Sequence, residues 1–305
     1  MSEPLTRRRF LAVGAAGLAA AAGAGALAGC SSTASSKPIT LSSETIPYGF
    51  EPMQKGDLIV PVEATPRPVV VLLHGGYWRV GFDKAAMGSL AEDLARRGYA
   101  TWNLDYRRLG EPGGGWPGTF ADVAAGIDLL ATLAPKKNLD LRRVTFLGHS
   151  AGSQLAFWAA ARRALPAGAP GADPQVRAAA AVSLSGVLDL RVALGQVAPD
   201  NGELAASTRE LLGGDVSSVP DRYDLASPAA RLPLGIPQLV IHGENDSKVD
   251  PVQSRSYSMA AKGAGDDVTY VELARADHFD VIQITKAWWD EVLNWLPTRL
   301  GDPAV

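Results

Sequence analysis

One cysteine is all the thiol in these 305 residues. With Cys30 alone, an internal disulfide is excluded, and so is a cysteine-built metal site or a thiol nucleophile beyond residue 30. Histidine is scarce as well: His74, His149, His242 and His278 are the four. No two His, Asp or Glu residues fall at metal-site spacing on one expected element, so no metal is expected. Neither a P-loop nor a GxGxxG follows the first strand-like run, which argues against nucleotide use. No cofactor is expected. Charge of one sign is not in excess either. The 29 Lys and Arg against 32 Asp and Glu leave a formal net charge of −3, and no basic block lies beyond residue 9. Such a balance does not favour nucleic acid as a partner.

A long run of large aliphatic residues is also missing. The stretch from Leu11 to Gly29 is uncharged, but it is mostly Ala and Gly, with Leu11, Val13, Leu18 and Leu27 as its larger members. Ala and Gly contribute little transfer energy, so it would make a poor permanent transmembrane helix. Residues 1–29 read instead as a signal peptide. Thr6-Arg7-Arg8-Arg9-Phe10-Leu11 ahead of that stretch resembles a twin-arginine export signal. Leu27-Ala28-Gly29-Cys30 resembles a bacterial lipobox. That resemblance implies cleavage before Cys30, lipidation of its thiol, and a protein exported and lipid-anchored at the bacterial cell membrane or envelope. Residues 30–40, small and polar after the cysteine, read as a flexible tether. The folded domain is expected over 41–300.

Along that domain, strand-like and helix-like runs alternate. Leu58-Ile59-Val60 is a short early strand. Val69 to Leu73 is a continuous apolar run, as a central strand buried on both faces should be. A helix is expected over 85–97, a strand over 100–104, and a helix over 119–134 with Phe120, Val123, Ile127 and Leu130 at helical spacing. Strands follow at 143–147, near 178–184, at 238–242 and at 268–271, with helices after 150 and over 252–263. A last helix is expected to carry Val281, Ile284, Trp288, Val292 and Trp295 on one face. Alternation of this kind means an α/β fold with a mostly parallel sheet and helices on both faces. Residues 187–235, rich in Pro, Gly, Ser and Asp with a short helical piece near 202–212, read as an insertion over the site.

Gly148-His149-Ser150-Ala151-Gly152 lies between the apolar run Val144–Leu147 and a helix-forming run. Strand, Gly-x-Ser-x-Gly, helix is the layout of a nucleophile elbow, which exposes the serine hydroxyl at a strand tip. The helix that follows aims its first N–H groups at developing negative charge. Such a serine needs a base, an acid to orient that base, and oxyanion donors. His278 alone sits on a loop between a late strand and the last helix, so it is the candidate base. The acid is sought on the turn His242-Gly243-Glu244-Asn245-Asp246-Ser247-Lys248-Val249-Asp250. Asp246 is the first choice, Asp250 the second and Glu244 a distant third.

With these residues in view, the chain resembles the α/β-hydrolase superfamily over most of 40–298, in the chain order Ser150, Asp246, His278. His74-Gly75-Gly76-Tyr77-Trp78 looks like the HGG motif of its esterase branch, with Tyr77 where many members have a third Gly. The resemblance implies an α/β-hydrolase fold with a short cap insertion and an oxyanion hole from the backbone N–H groups of Gly76, Tyr77 and Ala151. It implies a structural Asp105-Tyr106-Arg107, and Asp105 and Arg107 themselves read as holding a loop through an ion pair rather than touching substrate. Ser185–Leu190 and Asp277-His278-Phe279-Asp280 look most like arylformamidase-type and related small carboxylesterases. His74, Trp78 and His149 are candidate pocket residues, although His74 reads better as a brace for the oxyanion loop and His242 as a satisfied strand-end histidine. The expected activity is hydrolysis of a small-molecule carboxylic ester or arylformamide through an acyl-enzyme. An envelope acyltransferase with the same triad, and a non-catalytic surface binding protein on the same fold, are the alternatives.

Overall fold

The computed structural model describes residues 39–62, 65–195 and 202–303. The expected signal peptide, Cys30 and all but the last two residues of the tether lie outside them. The described residues belong to one compact unit.

Eight strands make one sheet: β1 (Leu41–Pro47), β2 (Lys55–Pro61), β3 (Arg67–Leu73), β4 (Ala100–Leu104), β5 (Leu139–His149), β6 (Ala180–Leu184), β7 (Gln238–Gly243) and β8 (Val268–Leu273). Their order is β1-β2-β4-β3-β5-β6-β7-β8. The β1–β2 and β2–β4 pairings are antiparallel and the other five are parallel. β3 is buried along its whole length, and its side chains divide by period two between two cores. Val69, Val71 and Leu73 enter one, and Val70 and Leu72 the other.

The helices are α1 (Gly88–Arg96), α2 (Gly118–Lys137), α3 (Ala151–Ala161), α4 (Leu190–Gly195), α5 (Glu203–Leu212), α6 (Pro220–Ala226), α7 (Val252–Gly263) and α8 (Trp289–Leu300). Leu90 and Leu94 of α1 and Val292 and Leu296 of α8 close one face of the sheet. Phe120 and Ile127 of α2, Leu155 and Phe157 of α3, and Tyr257 of α7 close the other. A fully buried side chain such as Phe146 contributes about 1.5–3 kcal/mol through apolar burial. Helices α4 to α6 fall within the insertion.

Chain order reverses beside β3, since β4 lies on one side of it and β5 to β8 on the other. In open α/β sheets a crevice opens at the carboxyl ends of the strands at such a switch point. The loop carrying Gly75 to Trp78 leaves the end of β3, and Ser150 leaves the end of β5.

Three expectations need correction. β1 was not expected: Ser42, Ser43 and Glu44 are exposed, so this edge strand lacks the alternation that marks a half-buried one. The helix expected over 85–97 opens with a 3-10 turn, Lys84–Met87, which the Asp83 carboxylate caps at the Ala85 N–H (2.8 Å), and becomes α-helical at Gly88. The last helix begins at Trp289, so Val281, Ile284 and Trp288 precede it. Asp277 accepts from the Phe279 and Asp280 amides (2.8 and 2.9 Å), and the Asp280 carbonyl accepts from the Gln283 amide (3.0 Å) and the Trp288 indole (2.9 Å). These bonds fold the chain into a compact loop around His278 in place of a helix.

Candidate active site

Ser150 stands between β5 and α3 with φ 55° and ψ −122°, an unusual backbone for a residue with a Cβ. Strain of this kind costs of the order of 1–3 kcal/mol and persists only where the surroundings hold it. Here the Ser150 amide donates to the Leu184 carbonyl (2.9 Å), and its carbonyl accepts from Ser153 N–H (3.0 Å). The two flanking glycines are required by space. A Cβ on Gly148 would lie 2.2 Å from the Gly152 carbonyl oxygen, and one on Gly152 would lie 2.1 Å from the Leu73 carbonyl oxygen. The turn is thereby pressed against the end of β3.

Asp246 follows β7 and His278 follows β8. His278 Nδ1 lies 2.7 Å from Asp246 Oδ2. A carboxylate only accepts, so Nδ1 carries the proton and Nε2 is left without one. The other carboxylate oxygen of Asp246 accepts from the Lys248 and Val249 amides (2.8 and 2.9 Å). His242 Nε2 approaches the same Oδ2 at 3.2 Å while donating to the Val249 carbonyl (2.9 Å), and the Ser254 hydroxyl lies 2.7 Å from its Nδ1. Burial alone would raise the Asp246 pKa, but hydrogen bonds from His242 and His278 outweigh it and hold the carboxyl well below the usual carboxylate range. Of the other acid candidates, Asp250 accepts from the Val252 amide at the start of α7 (2.9 Å) and Glu244 is exposed.

A cavity of about 510 Å³ opens over Ser150 and His278. Tyr77, Phe82, Ala86, Phe279 and Ile282 give it an apolar wall, and Glu203 and Lys248 bring charge to its lining. Gly76, the second glycine of the loop after β3, lines it too. Ala151 is the first residue of α3. Among the described residues, the amides of Gly76 and Ala151 have no backbone acceptor.

Two of the candidate pocket residues are misplaced by the sequence reading. His74 and Trp78 are fully buried and do not line the cavity. The His74 ring stacks on Tyr106, with centroids 4.4 Å apart, and its nitrogens face the Gly75 carbonyl (2.8 Å) and Asp105 Oδ1 (3.1 Å). The Tyr106 hydroxyl donates to the His74 carbonyl (2.7 Å). Arg107 does not pair with Asp105. It grips Asp122 of α2 through Nε and Nη2 (2.8 and 2.7 Å), while Asp105 meets His74. What sequence reasoning missed is His242 as a neighbour of Asp246; the i, i+4 spacing between them across the end of β7 was the available signal.

His149 does line the cavity, and its ring lies 4.7 Å from the His278 ring. Its Nε2–H donates to the His278 carbonyl (2.9 Å), tying the loop after β8 to the elbow. Desolvation first, and the charge of His278 second, lower its pKa from 6.5 to about 3. The sign follows from linkage: between those values the unfolded chain binds a proton that the folded chain refuses, so stability falls as pH drops from 6.5 toward 3. The wild type is expected to lose more stability than His149→Gln between pH 6 and 4.5, by about 1.4 kcal/mol per pH unit for one proton. Urea unfolding at several pH values measures it, and equal slopes would remove His149 from the account.

The mostly parallel eight-stranded sheet with helices on both faces is an α/β-hydrolase fold. The chain belongs to the BD-FAE family, which matches residues 57–260. Among curated proteins, it is 30% identical to Esterase LipQ of Mycobacterium tuberculosis over 222 residues, covering 70% of this chain and 51% of that protein. It is 24% identical to a kynurenine formamidase of Danio rerio over 254 residues, covering 83% of this chain and 80% of that one. The chain therefore spans about half the length of the first relative and most of the second. Among solved structures, a truncated carbohydrate esterase from gut microbiota superposes with a TM-score of 0.72 at 21% identity, covering 86% of this chain and 96% of that one. Esterase B from Lactobacillus Rhamnosis superposes at 0.71 with 23% identity, covering 87% and 86%. At these identities the superpositions speak for the fold.

Proposed function

We propose that this chain is a serine hydrolase of carboxylic esters. The observation that carries the reading is the hydrogen-bonded pair His278–Asp246 at the cavity that also exposes Ser150. Ser150 Oγ attacks the ester carbonyl as His278 Nε2 takes its proton. Asp246 holds the ring in the tautomer with Nε2 free and stabilises the imidazolium. The carbonyl π electrons move to oxygen, where the amides of Gly76, Tyr77 and Ala151 meet the developing charge. Collapse of that intermediate breaks the ester C–O bond, and His278 gives its proton to the departing alkoxide. Water, deprotonated by the same nitrogen, then frees the acid and regenerates Ser150 Oγ–H. No group beyond these residues and water is needed for balance. The named esterase relatives support ester cleavage in this chain.

Cleavage of N-formyl aromatic amines is a second reading, supported by the formamidase relative and the apolar wall of Tyr77, Phe82 and Phe279. The test is one panel: p-nitrophenyl esters of increasing acyl length beside N-formyl anilines, with the free acid and any transfer product quantified. Turnover of the esters supports the first reading. Turnover of the formanilides alone moves the substrate class, and acyl transfer outpacing hydrolysis would move the reaction class. No turnover of any of them contradicts the hydrolase reading.

For the N-terminus the proposal is export and lipid anchoring at Cys30, supported by the Arg7-Arg8 pair and by Leu27-Ala28-Gly29-Cys30. In a bacterial host, Cys30→Ser is expected to leave an unprocessed precursor. Arg7→Lys with Arg8→Lys should strand the precursor in the cytoplasm, because the export pathway reads the guanidinium pair and not charge alone. Fractionation with a mass for the N-terminal peptide checks both. A processed wild type with an unmodified Cys30 thiol would contradict the anchor.

A further inference from the structure

The loop that lines the cavity beside Ser150 is held in an unfavourable shape. Gly76, Tyr77 and Trp78 are consecutive with φ of 111°, 54° and 57°, so two aromatic residues occupy the left-handed region. Such a run needs support from outside itself. Part of it comes from the hydrolase core: the Leu109 amide donates to the Trp78 carbonyl (2.7 Å), and the Trp78 indole donates to Gln154 Oε1 of α3 (3.0 Å). The next residue, Arg79, turns the other way. Its Nε donates to Ser207 Oγ (2.8 Å) and its Nη2 to the Glu210 carboxylate, both on α5 of the insertion. Ser207 is fully buried, and the same helix supplies Glu203 to the cavity lining.

We infer that Arg79 is a positioning residue: it couples helix α5 of the insertion to the oxyanion loop and fixes where the Gly76 and Tyr77 amides point. The inference rests on the serine-hydrolase reading and deepens it. An insertion that only shaped the entrance would act on which substrate binds. An insertion that holds the oxyanion donors acts on the transition state, where charge has moved onto oxygen. The planar guanidinium suits this role, because it meets the hydroxyl and the carboxylate at once along two fixed directions. The Arg79 and Glu210 side chains are 34% and 48% exposed, so as an ion pair they add little to stability. A kinetic effect of breaking the pair can therefore be read without a collapse of the fold.

The experiment compares wild type, Arg79→Met, Arg79→Lys and Glu210→Ala on p-nitrophenyl acetate. Tm is recorded beside kcat and KM, and the affinity for an aryl trifluoromethyl ketone, which forms an oxyanion adduct, is measured in parallel. Displaced donors are expected to lower kcat of Arg79→Met by about ten- to a hundredfold. KM should change by less than about twofold. Affinity for the ketone should fall with kcat/KM, Arg79→Lys should lie between, and Glu210→Ala should shift the same way by a smaller factor. If Arg79→Met does not fold, Glu210→Ala and Arg79→Lys carry the comparison. The inference is overturned if kcat stays within about twofold, if KM alone rises, or if the loss follows Tm with ketone affinity unchanged. A wild type that neither turns over an ester nor is labelled at Ser150 by a fluorophosphonate fails before any variant is made. That outcome removes the serine-hydrolase reading and this inference together.

Discussion

Replacing Ser150 by Ala is expected to lower kcat/KM on a short-chain ester by about 10³-fold or more. The argument is local. Alanine keeps the Cβ and the backbone bonds that hold the elbow, Ser150 N–H to the Leu184 carbonyl and the Ser153 and Val187 N–H groups to the Ser150 carbonyl. The only group removed is the hydroxyl at the cavity. The proposed oxyanion amides and the apolar wall remain, so substrate should still bind and KM should change little. Tm is expected to hold or rise slightly, since among the described residues no hydrogen bond of the Ser150 hydroxyl supports the fold. Activity within about tenfold of wild type would remove Ser150 from the mechanism.

The second large effect is expected at Asp246. Asp246→Asn should cost up to about 10⁴-fold in kcat, the scale seen when a serine-protease triad acid becomes an amide. The geometry dictates how. One oxygen at this position must accept from the Lys248 and Val249 amides. The amide oxygen of Asn therefore points there, and its NH2 turns to His278 Nδ1 and toward His242 Nε2–H. An NH2 facing Nδ1 selects the tautomer protonated at Nε2, which cannot take the Ser150 proton. It also sets two donors against each other at His242. Asp250→Asn should fall within about threefold of wild type, because an amide oxygen can still accept from the Val252 amide at the start of α7. Exchanged severities would move the acid to Asp250.

The parts of this site that were legible in sequence are those with a local signature. The elbow reads from its glycines because the space around Gly148 and Gly152 admits no Cβ. Asp246 reads from its place after a strand-ending glycine. β3 reads from a continuous apolar run because both its faces are buried. What stayed hidden depends on packing between distant segments. Nothing near Arg107 announces that its partner is Asp122 on α2 and not Asp105. His74 and Trp78 belong to a motif close to Ser150, yet both are buried away from the cavity, His74 against the Gly75 carbonyl and Trp78 against Gln154. The start of the last helix was misjudged because Val281, Ile284 and Trp288 keep helical spacing, while Asp277 and Asp280 bind the backbone into a loop around His278. β1 was missed because an exposed edge strand has no apolar face to show. Residues 187–235 read in sequence as an insertion over the site, and the bonds from Arg79 to Ser207 and Glu210 on its helix α5 became visible only in three dimensions.

The most direct test of the central claim is the mass of the protein after reaction with an excess of a fluorophosphonate, followed by peptide mapping. The account predicts a single phosphonyl adduct on the peptide holding Ser150, formed quickly by wild type, slowly by Asp246→Asn, and not at all by Ser150→Ala. An adduct on another residue, or one that persists in Ser150→Ala, would contradict it.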